Sequence, residues 1–185
     1  ARLGSAPGLR SGFVPLGATI VSDESSAAIA RPQVEGGSLS MGFTDSGHAV
    51  ACAAALKHIE IMEREGLCQH VRDTGPALLR ELQSLADLPI VGDIRGSHFM
   101  VGIELVADRT RKTAFDPAVG SAARVFKRCL SRGLIVRPVG NVIVLSPPLI
   151  FTEEHCRQVA ATLYDSINET AAELKVAGLV TGESM

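Results

Sequence analysis

The run Phe99-Met100-Val101-Gly102-Ile103-Glu104-Leu105-Val106 sets apolar Phe99, Val101, Ile103 and Leu105 in alternation with Met100, Gly102, Glu104 and Val106. Successive side chains of a strand point to opposite faces, so a period of two predicts a strand with one face in a core. Upstream, Ile90-Val91-Gly92-Asp93-Ile94-Arg95 reads as its partner, joined through Gly96-Ser97-His98. Downstream, the charged, proline-bearing residues 107–118 read as loop, and residues 119–131 as a helix stopped near Gly133. Leu134-Ile135-Val136-Arg137 and Val142-Ile143-Val144-Leu145 then read as two short strands around Val139-Gly140-Asn141. Ser146-Pro147-Pro148 closes the sheet, because proline has no N–H for the ladder. Thr152 caps a last helix that runs to about residue 175, with Glu153 and Glu154 in its acid-favouring first turn. Residues 176–185 read as a mobile tail. Four strands and two helices over residues 88–175 suffice to close a core of their own, and the material is α/β.

The N-terminal third reads differently. Residues 1–12, rich in glycine and small side chains, are expected to be loop. Ala18-Thr19-Ile20-Val21 is a buried-strand candidate, followed by a helical stretch over 23–31 and a polar loop to Ser40. Met41-Gly42-Phe43-Thr44-Asp45-Ser46-Gly47-His48 is a polar turn feeding an apolar helix over residues 49–65, with Ser46 as N-cap, His48 capping or packing near its start, and Gly66 as its stop. A second helix over 67–85 carries an apolar stripe of Val71, Leu78, Leu79, Leu82 and Leu85, and Pro76 implies a kink or a break in it. A lone strand at 18–21 needs partners, so its sheet is expected to be completed by residues outside this chain.

Composition excludes several function classes. The 185 residues are 46% hydrophobic and 21% charged, with a formal net charge of −2, which is ordinary for a globular protein and carries none of the basic excess of a nucleic-acid binder. No apolar run reaches membrane-spanning length. Cys52, Cys68, Cys129 and Cys156 lie far apart without a CxxC pair, as expected of idle thiols in a reducing cytoplasm. His58, His70, His98 and His155 show no metal-ligand spacing, and no metal is expected. The turn at 41–48 opens onto a helix N-terminus, whose spare N–H groups and positive dipole end suit an anion such as phosphate; capping alone is the other reading.

Five stretches in order carry a resemblance: Ser11-Gly12-Phe13-Val14-Pro15-Leu16-Gly17-Ala18, Gly42-Phe43-Thr44-Asp45-Ser46-Gly47-His48-Ala49-Val50-Ala51, Val91-Gly92-Asp93-Ile94-Arg95-Gly96, Gly133-Leu134-Ile135-Val136-Arg137-Pro138-Val139-Gly140 and Ser146-Pro147-Pro148-Leu149-Ile150. Together they resemble the class III aminotransferases, fold-type-I pyridoxal-phosphate enzymes, and most nearly the omega-type group. The likeness runs over about residues 6–167 and implies the C-terminal part of such an enzyme. In that scheme residues 1–48 are a remnant of the large cofactor domain, 49–87 connecting helices, and 88–175 the small α/β domain. It further implies pyridoxal 5'-phosphate as cofactor, amino-donor and keto-acid substrates, and a homodimer.

The resemblance also assigns residues. The family's Schiff-base lysine lies in Ala-Lys-Gly-Leu-Thr-Ser-Gly-Tyr. The matching run here is Ala6-Pro7-Gly8-Leu9-Arg10-Ser11-Gly12-Phe13, with Pro7, which has no amine, in the lysine's place. No residue of this chain is therefore expected to be catalytic. A terminus in which the lysine was lost and a lysine-free homologue are both open. Thr44, with Phe43 beside it, matches the residues that meet the cofactor phosphate of the neighbouring subunit; a capping threonine is the plainer alternative. Met41, Asp45 and Ala49 depart from the histidine, tyrosine and proline common there. Arg137 matches the arginine that binds the substrate carboxylate, for which a planar guanidinium offers a two-pronged grip; a surface salt bridge is its alternative. Arg95 with Gly96 reads as a structural turn.

Overall fold

The computed structural model describes residues 2–5, 14–29, 31, 42, 44 and 46–181, with the backbone alone at 2–5. The chain divides into two compact units, Ala1–Gly66 and Leu67–Met185.

In the first unit, β1 (Arg2–Ser5) pairs antiparallel with β2 (Ala18–Val21), Leu3 opposite Ile20. Two sequence expectations are corrected here. Residues 2–5 are strand, not loop, and Ala18–Val21 has a partner inside this chain. The second strand is not buried either: Ile20 is 60% exposed. An apolar run supplies strand propensity, but burial needs a second layer, and a two-stranded ribbon does not bring one. Helix α1 (Asp23–Ile29) follows. Helix α2 (Ala49–Arg64) starts behind His48, whose Nδ1 accepts from the Ala51 N–H at 3.3 Å. The N-cap is therefore His48 and not Ser46, which sits in the preceding turn before Gly47. Gly66, at φ +61°, takes the left-handed conformation beyond the helix end, as expected.

In the second unit, α3 (Leu67–Leu82) runs unbroken past Pro76 into a single 3₁₀ turn, Gln83–Leu85. Of the kink or break expected, the break is absent, and Pro76 lies on the exposed side of the helix. The sheet is antiparallel, ordered β3 (Val91–Ser97), β4 (Met100–Asp108), β7 (Val142–Leu145), β6 (Arg137–Val139), with β5 (Thr113–Ala114) on β4. The turn between β3 and β4 is His98-Phe99, because Ser97 already pairs with Met100. The alternation in β4 is observed: Val101, Ile103 and Leu105 are buried while Met100 is exposed. Helices α3, α4 (Ser121–Ser131) and α5 (Glu153–Val176) cover the inner face, and Leu78, Leu82, Val125, Leu163 and Ile167 are buried in the shared core.

Helix α5 is fastened at both ends. Thr152 and His155 form a capping box at its start. At its far end Leu179 N–H donates to Leu174 O at 2.9 Å, a Schellman closure. Beyond it, where sequence predicts a mobile tail, Thr181 N–H donates to Ala107 O at 2.7 Å. Along its length Glu173 takes Arg128 at 2.7 Å and also Arg124, and Glu169 takes Arg132 at 2.5 Å. The hydrogen bond from Arg128, and then the charge of Arg124, hold the Glu173 carboxyl below the ordinary carboxylate range.

One contact sets how close α3 lies to the β3–β4 hairpin. A Cβ on Gly75 would stand 2.5 Å from His98 Cα, a backbone atom of the hairpin turn. Alanine in an open helix interior is worth up to about 1 kcal/mol over glycine. At position 75 the clash reverses this, and Gly75→Ala should cost roughly 1–3 kcal/mol, read as a lower urea midpoint. Unchanged or raised stability would show that the helix and hairpin separate freely.

Candidate active site

The geometry around Arg137 is built by three local devices. The first ends α4. Gly133, at φ +81°, lets Leu134 N–H donate to Cys129 O at 2.9 Å and its own N–H to Leu130 O at 3.0 Å, a full Schellman motif. This turns the chain from the end of α4 towards the sheet edge. The second is the hairpin. Gly140 (φ +57°) and Asn141 make a two-residue loop, so Val139 faces Val142 and Arg137 faces Val144. Sequence places the first strand over 134–137; it instead begins at Arg137 and continues through Pro138. Proline is tolerated there because β6 is an edge strand.

The third device is Asn141. Its Oδ1 accepts from Ser121 Oγ at 2.8 Å, its Nδ2 donates to Phe115 O at 2.7 Å, and its backbone carbonyl accepts from Leu105 N–H at 2.8 Å. The hairpin tip is thus tied at once to the start of α4, to the loop before it and to β4.

Arg137 itself is exposed, and its guanidinium has no hydrogen bond or ion pair among the described residues. The same row of the sheet runs Arg137, Val144, Gly102, Arg95, each directly opposite the next. Arg95 has the opposite condition: it is paired with Glu104 and, at 3.2 Å, with Asp93. One arginine of the row is neutralised and the other is free to take an external anion. Beside Arg137 opens a cavity of about 340 Å³, walled by Leu78, Val136, Leu145, Phe151 and Val159, with Ser146 as its other polar wall. Phe151 is fixed there. Its carbonyl accepts from His70 Nε2 at 2.8 Å, and its ring lies edge-on to Phe99 at 6.1 Å and against His155 at 5.0 Å. Because a carbonyl only accepts, His70 carries its proton on Nε2. Nothing in the sequence reading pointed to this cavity, since its walls come from α3, α5, β7 and two connecting loops.

The other assigned residues are in the first unit. Thr44 is exposed, in the turn ahead of α2. Phe43 and Pro7 lie outside the described residues. The first lysine of the chain is Lys57, and its ammonium is paired with Glu60 at 2.6 Å on the exposed side of α2. At position 7 the sequence therefore offers no amine to anchor an aldehyde cofactor. Among the described residues no cluster of His, Cys, Asp and Glu is fit to hold a metal, and no helix is long and apolar enough to cross a membrane. All four cysteines are free thiols, and burial raises those of Cys129 and Cys156.

Comparison with known proteins gives one answer. The family model for Aminotransferase class-III matches residues 4–167. The chain is 38% identical, over 162 residues, to the adenosylmethionine-8-amino-7-oxononanoate aminotransferase of Methanocaldococcus jannaschii, covering 88% of this chain and 35% of that protein. It is 37% identical to the putrescine–pyruvate aminotransferase of Pseudomonas aeruginosa, covering 90% of this chain and 36% of that one. The crystal structure of the Methanocaldococcus protein superposes with a TM-score of 0.85 at 37% identity, over 91% of this chain and 38% of that chain. The PMP-bound form of an aminotransferase from Vibrio fluvialis gives 0.83 at 36% identity, over 93% and 38%. The chain spans about a third of the length of these curated relatives.

The three ties of Asn141 make a prediction about the hairpin. Asn141→Ala removes both side-chain bonds and leaves the buried Ser121 hydroxyl without its acceptor, a loss of roughly 1–3 kcal/mol. The Leu105 amide, bonded to the same residue's carbonyl, should exchange faster with solvent. Wild-type stability and unchanged exchange would mean that the tip is held by the sheet alone.

Proposed function

The chain belongs to the class-III aminotransferases, and from that membership we propose that it is the C-terminal portion of an enzyme moving an amino group from an amino donor to a keto acid with pyridoxal 5'-phosphate. The observation that carries the reading is Arg137: an unpaired guanidinium, held at the sheet edge by a fixed hairpin, beside a cavity. It grips the substrate carboxylate through paired N–H donors. Thr44, with Phe43, meets the cofactor phosphate of the neighbouring subunit in a homodimer; the turn ahead of α2 supports that role. Residues 1–48 belong to the large domain, 49–87 connect, and 88–175 form the small domain. The free thiols suit a reducing cytoplasm.

Pro7 supports a second reading, a homologue that binds or assembles without catalysis, since proline at the lysine position removes the amine the chemistry needs. The full-length protein with Pro7→Lys separates the two. Gain of transamination supports the catalytic lineage; its absence, in a folded protein, supports the binding module.

Two outcomes are expected. The 185-residue chain, mixed with pyridoxal phosphate, an amine donor and pyruvate, should form no alanine above a protein-free control. In the full-length enzyme bearing lysine at position 7, Arg137→Ala should cost the carboxylate-bearing half-reaction roughly tenfold to a hundredfold in kcat/KM, as expected for a charge-assisted contact worth about 1.5–3 kcal/mol. A donor amine without a carboxylate should lose little. Arg137→Lys should rescue only in part, because it lacks the planar fork. Equal losses for both substrate types would remove the arginine from substrate selection.

A further inference from the structure

Helices α4 and α5 meet through charge as well as through the core. On α4, Arg124, Arg128 and Arg132 recur at every fourth residue and so share a face, and on α5 Glu169 and Glu173 do the same. Arg132 and Arg128 meet Glu169, and Arg128 and Arg124 meet Glu173. The signs alternate along this ladder, and it starts and ends on an arginine. The next position of the α5 series is Ala177, which has no acid to offer.

Beside Arg124 opens a cavity of about 410 Å³, which shares no lining residue with the one beside Arg137. Its wall carries three cations, Arg124, Lys127 and Arg128, and one acid, Glu173. Gly120 and Ala123 complete most of the rest and add neither bulk nor charge. Glu173 is fully engaged: Oε1 accepts from Arg124 Nη1, and Oε2 accepts from Arg128 Nη2 at 2.7 Å. Arg124 gives its Nε to the Val119 carbonyl at 2.9 Å, which leaves Nη2 over. Arg128 turns Nε and Nη2 to the two glutamates, which leaves Nη1 over. The exposed Lys127 ammonium has no hydrogen bond or ion pair among the described residues. The wall thus holds unused N–H donors on three cations and a net charge of two positive units, set round one open space.

From this we propose that the cavity is a binding site for a doubly charged oxyanion of the phosphate type, which supplies the negative charge that the ladder lacks at this end. A dianion balances the net charge of the wall, whereas a monoanion leaves half of it. Guanidinium and ammonium donors reaching from three side chains suit an acceptor with oxygens on several sides. Glu173 opposes the anion, so its charge and those of the three cations act with opposite sign on affinity. The site does not depend on the reaction proposed for the family.

The test titrates the 185-residue chain by calorimetry with inorganic phosphate, sulfate, methyl phosphate and acetate. Ionic strength is held equal, at a pH where phosphate is doubly charged. Amide chemical shifts locate the bound ion. Phosphate and sulfate are expected to saturate one site about tenfold more tightly than acetate and to shift the amides of Ala123 and Lys127. Lys127→Ala, at an exposed position, should weaken phosphate about fivefold, and Lys127→Arg should retain it. Ala123→Glu, also exposed, places an internal carboxylate in the cavity and should weaken phosphate by about tenfold or more. Glu173→Gln should instead tighten it severalfold. Methyl phosphate equal to phosphate supports the site as one for a phosphate group borne on a larger molecule; methyl phosphate much weaker supports it as one for the free ion. Acetate as tight as phosphate overturns the proposal, since the wall is then an unselective charged surface. Phosphate binding that Lys127→Ala and Ala123→Glu leave unchanged overturns it by placing the ion elsewhere on the chain, and no saturable binding overturns it outright.

Discussion

The second unit depends on a single constraint: β4 has to bury Val101, Ile103 and Leu105 on one face while pairing on both edges. With β3 on one side and β7 on the other, its backbone groups are satisfied, and only the inner face needs a second layer. Helices α3, α4 and α5 supply that layer. Their distance from the sheet is then set by small features such as the missing side chain at Gly75. On the outer face the row of Arg95, Gly102, Val144 and Arg137 is laid out by register alone.

Much of this architecture was legible, because its signals are local. The alternation over residues 99–106, the glycine stops at 66 and 133, and the capping threonine at 152 each act within a few residues of themselves. The misreadings share another cause. Residues 2–5 carry no strand signature of their own; they are strand because Ala18–Val21 offers an edge fifteen or so residues later. Pro76 does not break α3, and its place on the exposed side of the helix is a tertiary fact that the residue type alone does not give. His48 displaced Ser46 as cap because the helix begins two residues later than a cap at the serine hydroxyl would set it.

The candidate site was legible in part. Arg137 stood out by its place after an apolar run, and the family match over residues 4–167 gives that position its context. Its isolation from acidic partners was not legible, and neither was the pairing of Arg95 with Glu104, nine residues further on, which separates two arginines that look alike in sequence. The cavity was beyond sequence reading altogether, since residues as distant as Leu78 and Val159 share its wall. Asn141 was readable as a turn residue but not as the knot joining a helix start, a loop carbonyl and the central strand.

The two-residue hairpin loop has an implication for how this region tolerates change in length. Side chains alternate along β6, so the face that Arg137 presents is a parity, odd or even, counted from the loop. One residue gained or lost at Gly140-Asn141 does not shift the guanidinium by a graded amount; it inverts it, sending a cation towards the core and Pro138 or Val136 outward. Two residues restore the face but move the arginine by one pleat, about 7 Å along the strand. The loop over residues 109–112 obeys the same arithmetic, but what it positions is only Thr113–Ala114, a two-residue strand on β4. Within this one sheet, then, the same parity governs a two-residue edge at one loop and the placement of a guanidinium at the other.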